Sequence, residues 1–456
     1  MGRLFGTDGV RGVVGVQLTP ELALRLGRAI GAFFGKGSRI LVGRDVRAGG
    51  SMIKSAVVAG LLSEGVKVYD ANYIPTPGLQ YNVKEGPYDG GVMITASHNP
   101  PEYNGIKVIA GDGIEVSRED EEVIEEYYFK GTGSVLEWRS YVHDPIVLHD
   151  AIDLYIDGIL GNLERLPSLE SKHKVLVDCA NSVGSLVTPR VLREMGVQVR
   201  TINCNLDPLF PGREPEPTPE TLKEAAEMVV RTGASLGVGH DGDADRAIII
   251  DDTGNVVWGD RTGALLSGYV SGRWKGLPRR VYTGVSSSTA VEDYLKPLGI
   301  EVVWTPVGSV VISRMIQRDG GAISGFEENG GYMHVPHQTV RDGAMKAALL
   351  VHMVDEEGSL SSLLKALPQY YPVKTKLPAT REQAACAVEA VKEHYSNLRQ
   401  VTIDGVKVFG DGYWVLVRPS GTEPVVRIML EARDPSKADE LLREVKSLLK
   451  NKCGIG

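Results

Sequence analysis

Cysteine is scarce: Cys179, Cys204, Cys386 and Cys453 are all the chain has in 456 residues. No pair among them has a metal-type spacing, so a zinc site is not expected, and reduced thiols in a cytoplasmic protein are. No apolar run approaches the roughly 18 residues of a membrane span. The start, Met1-Gly2-Arg3-Leu4-Phe5-Gly6, lacks the apolar stretch of a signal peptide, and Gly6 stands where myristoylation wants Ser or Thr. Basic residues are not in excess: 50 Lys and Arg against 58 Asp and Glu leave a net charge of -8, which argues against a nucleic-acid surface. A G-x-S-x-G elbow is also missing, which disfavours acyl transfer.

What is present is an ordinary globular composition, 42% hydrophobic and 24% charged, in a chain too long for one core. The 54 glycines exceed the average and gather in loops beside polar residues, a pattern suited to holding phosphate with backbone N–H groups. Through about residue 370 the pattern repeats strand, loop, helix, which predicts layered α/β domains. Thr19 and Pro20 open a helix whose apolar face reads Leu22, Leu24, Ile30 and Phe33. A second amphipathic stretch covers residues 52–62. Strands at 40–42, 175–177 and 281–283 look like openings of three similar units, each later ending a strand in a functional loop, at 95–100, 240–246 and 325–331. Prolines 208, 211, 215 and 217 mark an extended loop. Beyond about residue 370 come a helix at 381–395, short strands with an Asp404-Gly405 turn, and a helix at 437–449. The expected organisation is three mixed-sheet α/β domains, 1–150, 151–253 and 254–370, and a smaller α+β domain, 371–456.

Two loops carry the chemistry. Thr95-Ala96-Ser97-His98-Asn99-Pro100 offers a hydroxyl just after the apolar strand 91–94. Asp241-Gly242-Asp243-Ala244-Asp245-Arg246 sets three carboxylates at alternate positions between two apolar strands. Carboxylates at that density repel one another unless a hard cation sits among them, and oxygen ligands suit Mg²⁺. An EF-hand would need Gly at loop position six and Glu at twelve, where Arg246 and Asp252 stand. Gly237-Val238-Gly239-His240-Asp241-Gly242 matches the dinucleotide fingerprint formally but runs into a strand rather than a helix, and is rejected. Ser97 alone reads as a turn residue; His98, Asn99 and Lys107 around it, with a cation site elsewhere, make it a candidate nucleophile. Arg418-Pro419-Ser420-Gly421-Thr422-Glu423-Pro424, followed by Arg427, has the composition of a phosphate cradle, the alternative being a surface turn with a salt bridge. Gly6-Thr7-Asp8-Gly9-Val10-Arg11-Gly12 places Arg11 on a pliable loop, and Phe326-Glu327-Glu328-Asn329-Gly330-Gly331 supplies acceptors for sugar hydroxyls. The nine histidines show no metal spacing.

Assembled in this order, the motifs resemble the α-D-phosphohexomutase superfamily over the whole chain. The resemblance implies four domains around a central cleft and movement of phosphate between the 1- and 6-positions of a hexose through a bisphosphate. It implies a phosphorylated Ser97, with Mg²⁺ held by Ser97, Asp241, Asp243 and Asp245. Lys107 and Arg11 match positions implicated in proton transfer, His98 lies beside the phosphoserine, and Arg246 should face the phosphoryl group. Thr305, Gly308, Glu327 and Asn329 match sugar contacts. Arg418, Ser420, Gly421, Thr422 and Arg427 match the distal phosphate site, which a mobile tail domain would carry. Hexose phosphates are the implied partners, a sugar bisphosphate the activator, and a homodimer is compatible. Asn329 and Gly331 replace the Ser and His of many relatives. Gly421 and residues 6–9 resemble the phosphoglucosamine mutase branch, while Thr95 departs from it, which suggests a broad enzyme for glucose, mannose or glucosamine phosphates. A Mg²⁺-dependent sugar-phosphate phosphatase and a non-catalytic sugar-phosphate-binding protein are the competing readings.

Overall fold

The structure, a computed structural model, describes residues 4–6, 9–132, 136–141, 143–170, 172–420 and 423–455. Its helices and strands form four sheets. The first contains β1 (Val10–Val13), β2 (Arg39–Arg44), β3 (Lys67–Tyr73), β4 (Gly90–Ile94), β5 (Tyr103–Ala110) and β6 (Ile146–Val147), in the order β1-β5-β4-β2-β3-β6. The second contains β7 (Lys174–Asp178), β8 (Gln198–Ile202), β9 (Leu236–His240), β10 (Ala247–Ile250) and β11 (Val256–Val257), ordered β11-β10-β9-β7-β8. In the third region, β12 (Arg280–Gly284) pairs in parallel with β13 (Glu301–Thr305) and β14 (Ser324–Phe326), and β15 (Tyr332–His334) follows.

The repeat expected from the sequence is therefore topological. In each unit the first parallel strand lies between the second and the third: β3-β2-β4, β8-β7-β9 and β13-β12-β14. The three functional loops leave the C-terminal ends of the third strands, β4, β9 and β14, the edge of a parallel sheet where ligands ordinarily bind.

By its internal contacts the chain divides into two compact units, Met1–Gly259 with Asn329–Ser361, and Asp260–Glu328 with Ser362–Gly456. In the first unit, Thr19 caps the helix Pro20–Phe34 by accepting from Leu22 N, with Pro20 at its start. That helix packs on the helix Gly50–Ser63 at very short range. A Cβ on Gly27 would stand 2.4 Å from Val57 O, and one on Gly60 would stand 2.4 Å from Leu24 O. The packed face buries Ala23, Leu26 and Ile30, while Leu24, expected on it, is 40% exposed because it lies about 200° around the helix from Leu22. The helix Gly343–Glu357 is buried without a break from Gly343 to Val354, as a helix packed on all sides must be. It packs against β10 and the helix Thr188–Glu194, so a segment expected in the third domain helps build the first unit.

In the second unit, β16 (Tyr371–Pro378), β17 (Arg399–Val401), β18 (Val406–Gly410), β19 (Tyr413–Pro419) and β20 (Val425–Ala432) form an antiparallel sheet ordered β16-β20-β19-β18-β17. The helices Arg381–His394 and Pro435–Cys453 cover it, burying Ala387, Val391, Leu441 and Val445 against Val415, Val417 and Ile428. Thr380 and Gln383 cap the first of these reciprocally.

The cysteines correct the expectation of free thiols. Cys179 is bonded to Cys204 and Cys386 to Cys453, with Cα separations of 4.9 and 5.8 Å. Cys179 and Cys204 follow the ends of β7 and β8, which parallel pairing brings side by side across 25 residues of sequence. The second bond ties the two helices of the last sheet together. Sequence spacing shows neither adjacency.

Candidate active site

The first unit brings together Ser97, His98, Lys107, Arg11, Asp241, Asp243, Asp245, Arg246 and Asn329. Ser97 lies one turn beyond β4 in the left-handed region, at φ 51, uncommon for a residue with a side chain. Thr95 makes this turn possible: its Oγ1 accepts from Ser97 N at 2.8 Å and donates to Asp45 Oδ2 at 2.6 Å. Ser97 Oγ donates to Asp241 Oδ2 at 2.7 Å and lies 3.4 Å from His98 Nδ1. The hydroxyl is thus already beside the carboxylate loop.

That loop is buried. Asp241, Asp243 and Asp245 are each no more than 1% exposed, and each presents an oxygen within 4.8 Å of the others. Burial, then Asp245 and Asp243, push the Asp241 carboxyl well above its ordinary range. Cationic side chains answer part of this charge. Lys107 Nζ, on β5, stands 3.3 Å from Asp243 Oδ2 and 3.6 Å from Asp245 Oδ2. Arg246 Nε lies 3.9 Å from both Asp241 Oδ2 and Asp245 Oδ1, and Arg341 donates to Asp245. Thr76 Oγ1 donates to Asp243 Oδ2 at 2.6 Å. Asp245 Oδ1 is nevertheless buried without a hydrogen bond, a costly state that a cation would relieve. Three converging carboxylates with such an oxygen fit a hard metal ion.

His240, at the end of β9, is the neutral wedge under the loop. Burial lowers its pKa to about 4, with Nδ1 2.9 Å from Arg246 O and Nε2 2.8 Å from Thr188 Oγ1. Arg11 is not on a pliable loop, as its glycines suggested. It lies in β1, paired opposite Gly105, and Nη1 donates to Asn99 Oδ1 at 2.6 Å. Asn329 begins the segment that reaches Arg246: Ala247 N donates to Gly330 O, and Arg246 bridges to Gly331. Buried Lys346 holds the same turn by donating to Ala247 O and Gly330 O.

The second unit carries Thr305, Gly308, Glu327, Arg418, Ser420 and Arg427; Gly421 and Thr422 lie outside the described residues. Thr305 ends β13, Gly308 (φ 140) precedes the helix Ser309–Arg318, and Glu327 follows β14. Arg418 on β19 is opposite Arg427 on β20, which is opposite Lys376 on β16, so three cations form one row across the sheet. Asp404 orients the first: its carboxylate lies 2.9 Å from Arg418 Nη2 and accepts from Val307 N at 3.1 Å, tying the 305–308 turn to the basic row. Ser420 Oγ accepts from Glu423 N at 3.3 Å. A cavity of about 370 Å³ is lined by Lys374, Lys376, Arg427, Glu328 and Glu423.

Sequence reasoning missed Arg47, Asp45, Thr76, Arg341, Lys376 and Asp404. Asp45 and Arg47 had a usable signal, because they follow β2 at the same sheet edge as the functional loops. Lys376 and Asp404 become neighbours of Arg427 and Arg418 only through the fold.

Four family profiles match in succession: phosphoglucomutase/phosphomannomutase α/β/α domain I at residues 2–134, domain II at 153–254, domain III at 258–371, and the C-terminal domain at 374–448. Fold and site thus define a four-domain sugar-phosphate enzyme of the α/β class, and the chain belongs to the phosphoglucomutase/phosphomannomutase family of α-D-phosphohexomutases. It is 51% identical to the phosphoglucosamine/phosphogalactosamine mutase of Sulfurisphaera tokodaii, over 99% of this chain and 100% of that protein. It is 39% identical to a phosphoglucomutase/phosphomannomutase of Thermococcus kodakarensis, over 97% of each. A phosphoglucomutase/phosphomannomutase family protein of Burkholderia thailandensis shares the fold, with a TM-score of 0.87, 24% identity and coverage of 98% of this chain and 97% of that one.

Proposed function

We propose that this phosphohexomutase moves phosphate between the 1- and 6-positions of hexose phosphates through Ser97, with 2-amino-hexose phosphates among its substrates. The observation that carries the reading is Ser97 Oγ bonded at 2.7 Å to Asp241, inside a buried carboxylate triad. A divalent cation, Mg²⁺ by ligand chemistry, would be held by Asp241, Asp243, Asp245 and the phosphate on Ser97, and would neutralise charge gathering on the phosphoryl oxygens.

The chain's own residues do the rest. As the bond from phosphorus to Ser97 Oγ breaks, the sugar hydroxyl oxygen bonds to phosphorus and its proton leaves to a base. Lys107 Nζ takes that proton in its neutral amine form, and Asp243 and Asp245, 3.3 and 3.6 Å away, stabilise the ammonium that results. Arg11 is electrostatic, since a guanidinium gives up its proton too reluctantly to act as a base. Arg246 faces the transferring group, and His98 steadies the serine oxygen. Thr305, Gly308, Glu327 and Asn329 contact the sugar ring. Arg418, Ser420, Gly421, Thr422 and Arg427 hold the phosphate that is not reacting, and Lys376 joins them.

The bisphosphate then turns end for end, and the regenerated Ser97 phosphate makes a sugar bisphosphate the natural activator. The amino-sugar part of the reading is supported by the 51% identical relative, named for glucosamine and galactosamine phosphates. The reading includes a cytoplasmic location, where sugar phosphates are kept; no described helix is long and apolar enough to cross a membrane.

Side-by-side turnover of glucose, mannose, glucosamine and galactosamine 1-phosphates, with Mg²⁺ and a trace of hexose bisphosphate, tests it. Interconversion that includes the amino sugars is expected. Release of inorganic phosphate at the rate of substrate loss, or no turnover with Ser97 phosphorylated, overturns it.

A further inference from the structure

Arg47 is a large buried cation, 1% exposed, that the reaction scheme does not use. Its guanidinium spends four hydrogen bonds on one short stretch of backbone. Nη2 donates to Ser97 O and Asn99 O, both at 2.6 Å, and Nη1 donates to Pro100 O at 2.8 Å and Tyr103 O at 3.0 Å. Asp45 fixes the arginine in turn: its carboxylate accepts from Arg47 N at 2.9 Å and lies 3.2 Å from Nε. The same carboxylate takes the Thr95 hydroxyl that sets the Ser97 turn. The guanidinium carbon lies 5.1 Å from the centre of the Phe210 ring, which closes one side of the site.

The carboxylate loop presses on this arrangement from the other side. A Cβ on Gly242 would stand 2.4 Å from Ser97 O and 3.3 Å from Arg47 Nη2, so the glycine lets the metal loop touch the carbonyl that Arg47 holds. A left-handed serine needs such outside restraint, because its own backbone preference runs against it. Carbonyls converging on one point also repel one another without a donor among them, and only a planar fork with several N–H groups satisfies four at once.

We infer that Arg47 is a positioning residue for phosphoryl transfer: it clamps residues 97–103 so that Ser97 Oγ stays in register with the carboxylate loop. The inference rests on Ser97 being the phosphoryl carrier. Phosphoryl transfer depends mainly on alignment, so loss of the clamp lowers kcat rather than substrate affinity. Lysine keeps the charge but cannot span four carbonyls, so charge alone does not rescue the variant.

The test is Arg47→Lys in the full-length protein, read by steady-state kinetics, by the rate at which a hexose bisphosphate phosphorylates Ser97, and by amide hydrogen exchange. A kcat fall of about 100-fold or more with KM within about threefold is expected, with Ser97 phosphorylation slowed in parallel. Exchange at residues 98–103 should quicken at least about tenfold, while the helix Pro20–Phe34 stays unchanged. A kcat within threefold of the parent overturns the inference, and so does exchange that quickens equally in both segments. If Arg47→Lys does not fold, Gly242→Ala, whose Cβ displaces Ser97 O and crowds Arg47 Nη2, must reproduce the kcat loss; an unchanged kcat then overturns it. The exchange arm needs no turnover, so a parent protein in which Ser97 takes no phosphoryl group sinks the carrier reading and leaves the restraint separately measured.

Discussion

Ser97, Lys107 and the three aspartates are each no more than 1% exposed, whereas the side chains of Arg427 and Lys376 are 43% and 60% exposed. In the proposed reaction both regions meet phosphate, and both are rich in charge. In the first, charged groups are set largely by partners from other elements: Thr76 and Lys107 on Asp243, Arg341 on Asp245, Arg47 on the serine loop. In the second, the cations come from three adjacent strands: Lys376 and Arg427 both rest on exposed Glu423, and Arg418 on half-buried Asp404. Buried charges interact strongly and lose much when displaced; exposed pairs are weak and exchange partners readily. The contrast suits a reaction in which one phosphate must be aligned and the other merely held, in either orientation of the sugar.

The comparison breaks most visibly at Ser97. Ser97→Ala should lower kcat by at least about 10³-fold while the protein stays folded, because in the proposed reaction the hydroxyl carries the group. Asp243→Asn follows: one carboxylate fewer should cost about 10²–10³ in kcat and raise the divalent-metal concentration needed for half-maximal rate, read by metal titration of activity. At the exposed row the effect should be smaller and of another kind. Arg427→Ala should raise KM about tenfold and leave kcat within about threefold, as loss of one screened charge-assisted contact does. An equal kcat loss at Ser97 and Arg427 would erase the distinction between aligning and holding.

The smallest effect concerns stability and sharpens the role of burial. His334 is buried in the first unit, and burial lowers its pKa to about 3 from an ordinary 6.5. The unfolded chain therefore binds a proton that the folded chain refuses between these values. Stability from this group is full above about pH 6.5 and declines as pH falls, by up to about 1.4 kcal/mol per unit. Denaturant melts at pH 7 and pH 5 should show the loss, and His334→Gln should flatten it.

How far the sequence discloses this site depends on the range of its contacts. Ser97 and the aspartate triad are legible because each is a local pattern at the end of an apolar strand. The three-unit repeat is legible for the same reason, through strands and loops that recur in order. Arg47 is not, because its meaning lies in four carbonyls about 50 residues away. Asp404 reads as a turn residue until the fold sets it between Val307 and Arg418. Arg11 reads as loop because glycines surround it, yet pairing with β5 makes it strand. Leu24 reads as part of the apolar face of its helix, but it stands about 200° around from Leu22. The period itself places it outside the face that Ala23, Leu26 and Ile30 bury. The paired cysteines show the same limit, since register and helix packing create their adjacency.

The measurement that bears most directly on the account is a single-turnover chase. Protein carrying a labelled phosphoryl group on Ser97, introduced from a hexose bisphosphate, is mixed with unlabelled hexose phosphate in the presence of Mg²⁺. The account requires the label to leave Ser97 at a rate no slower than kcat and to appear in hexose bisphosphate. Label that stays on the serine, or that appears as inorganic phosphate, would contradict it.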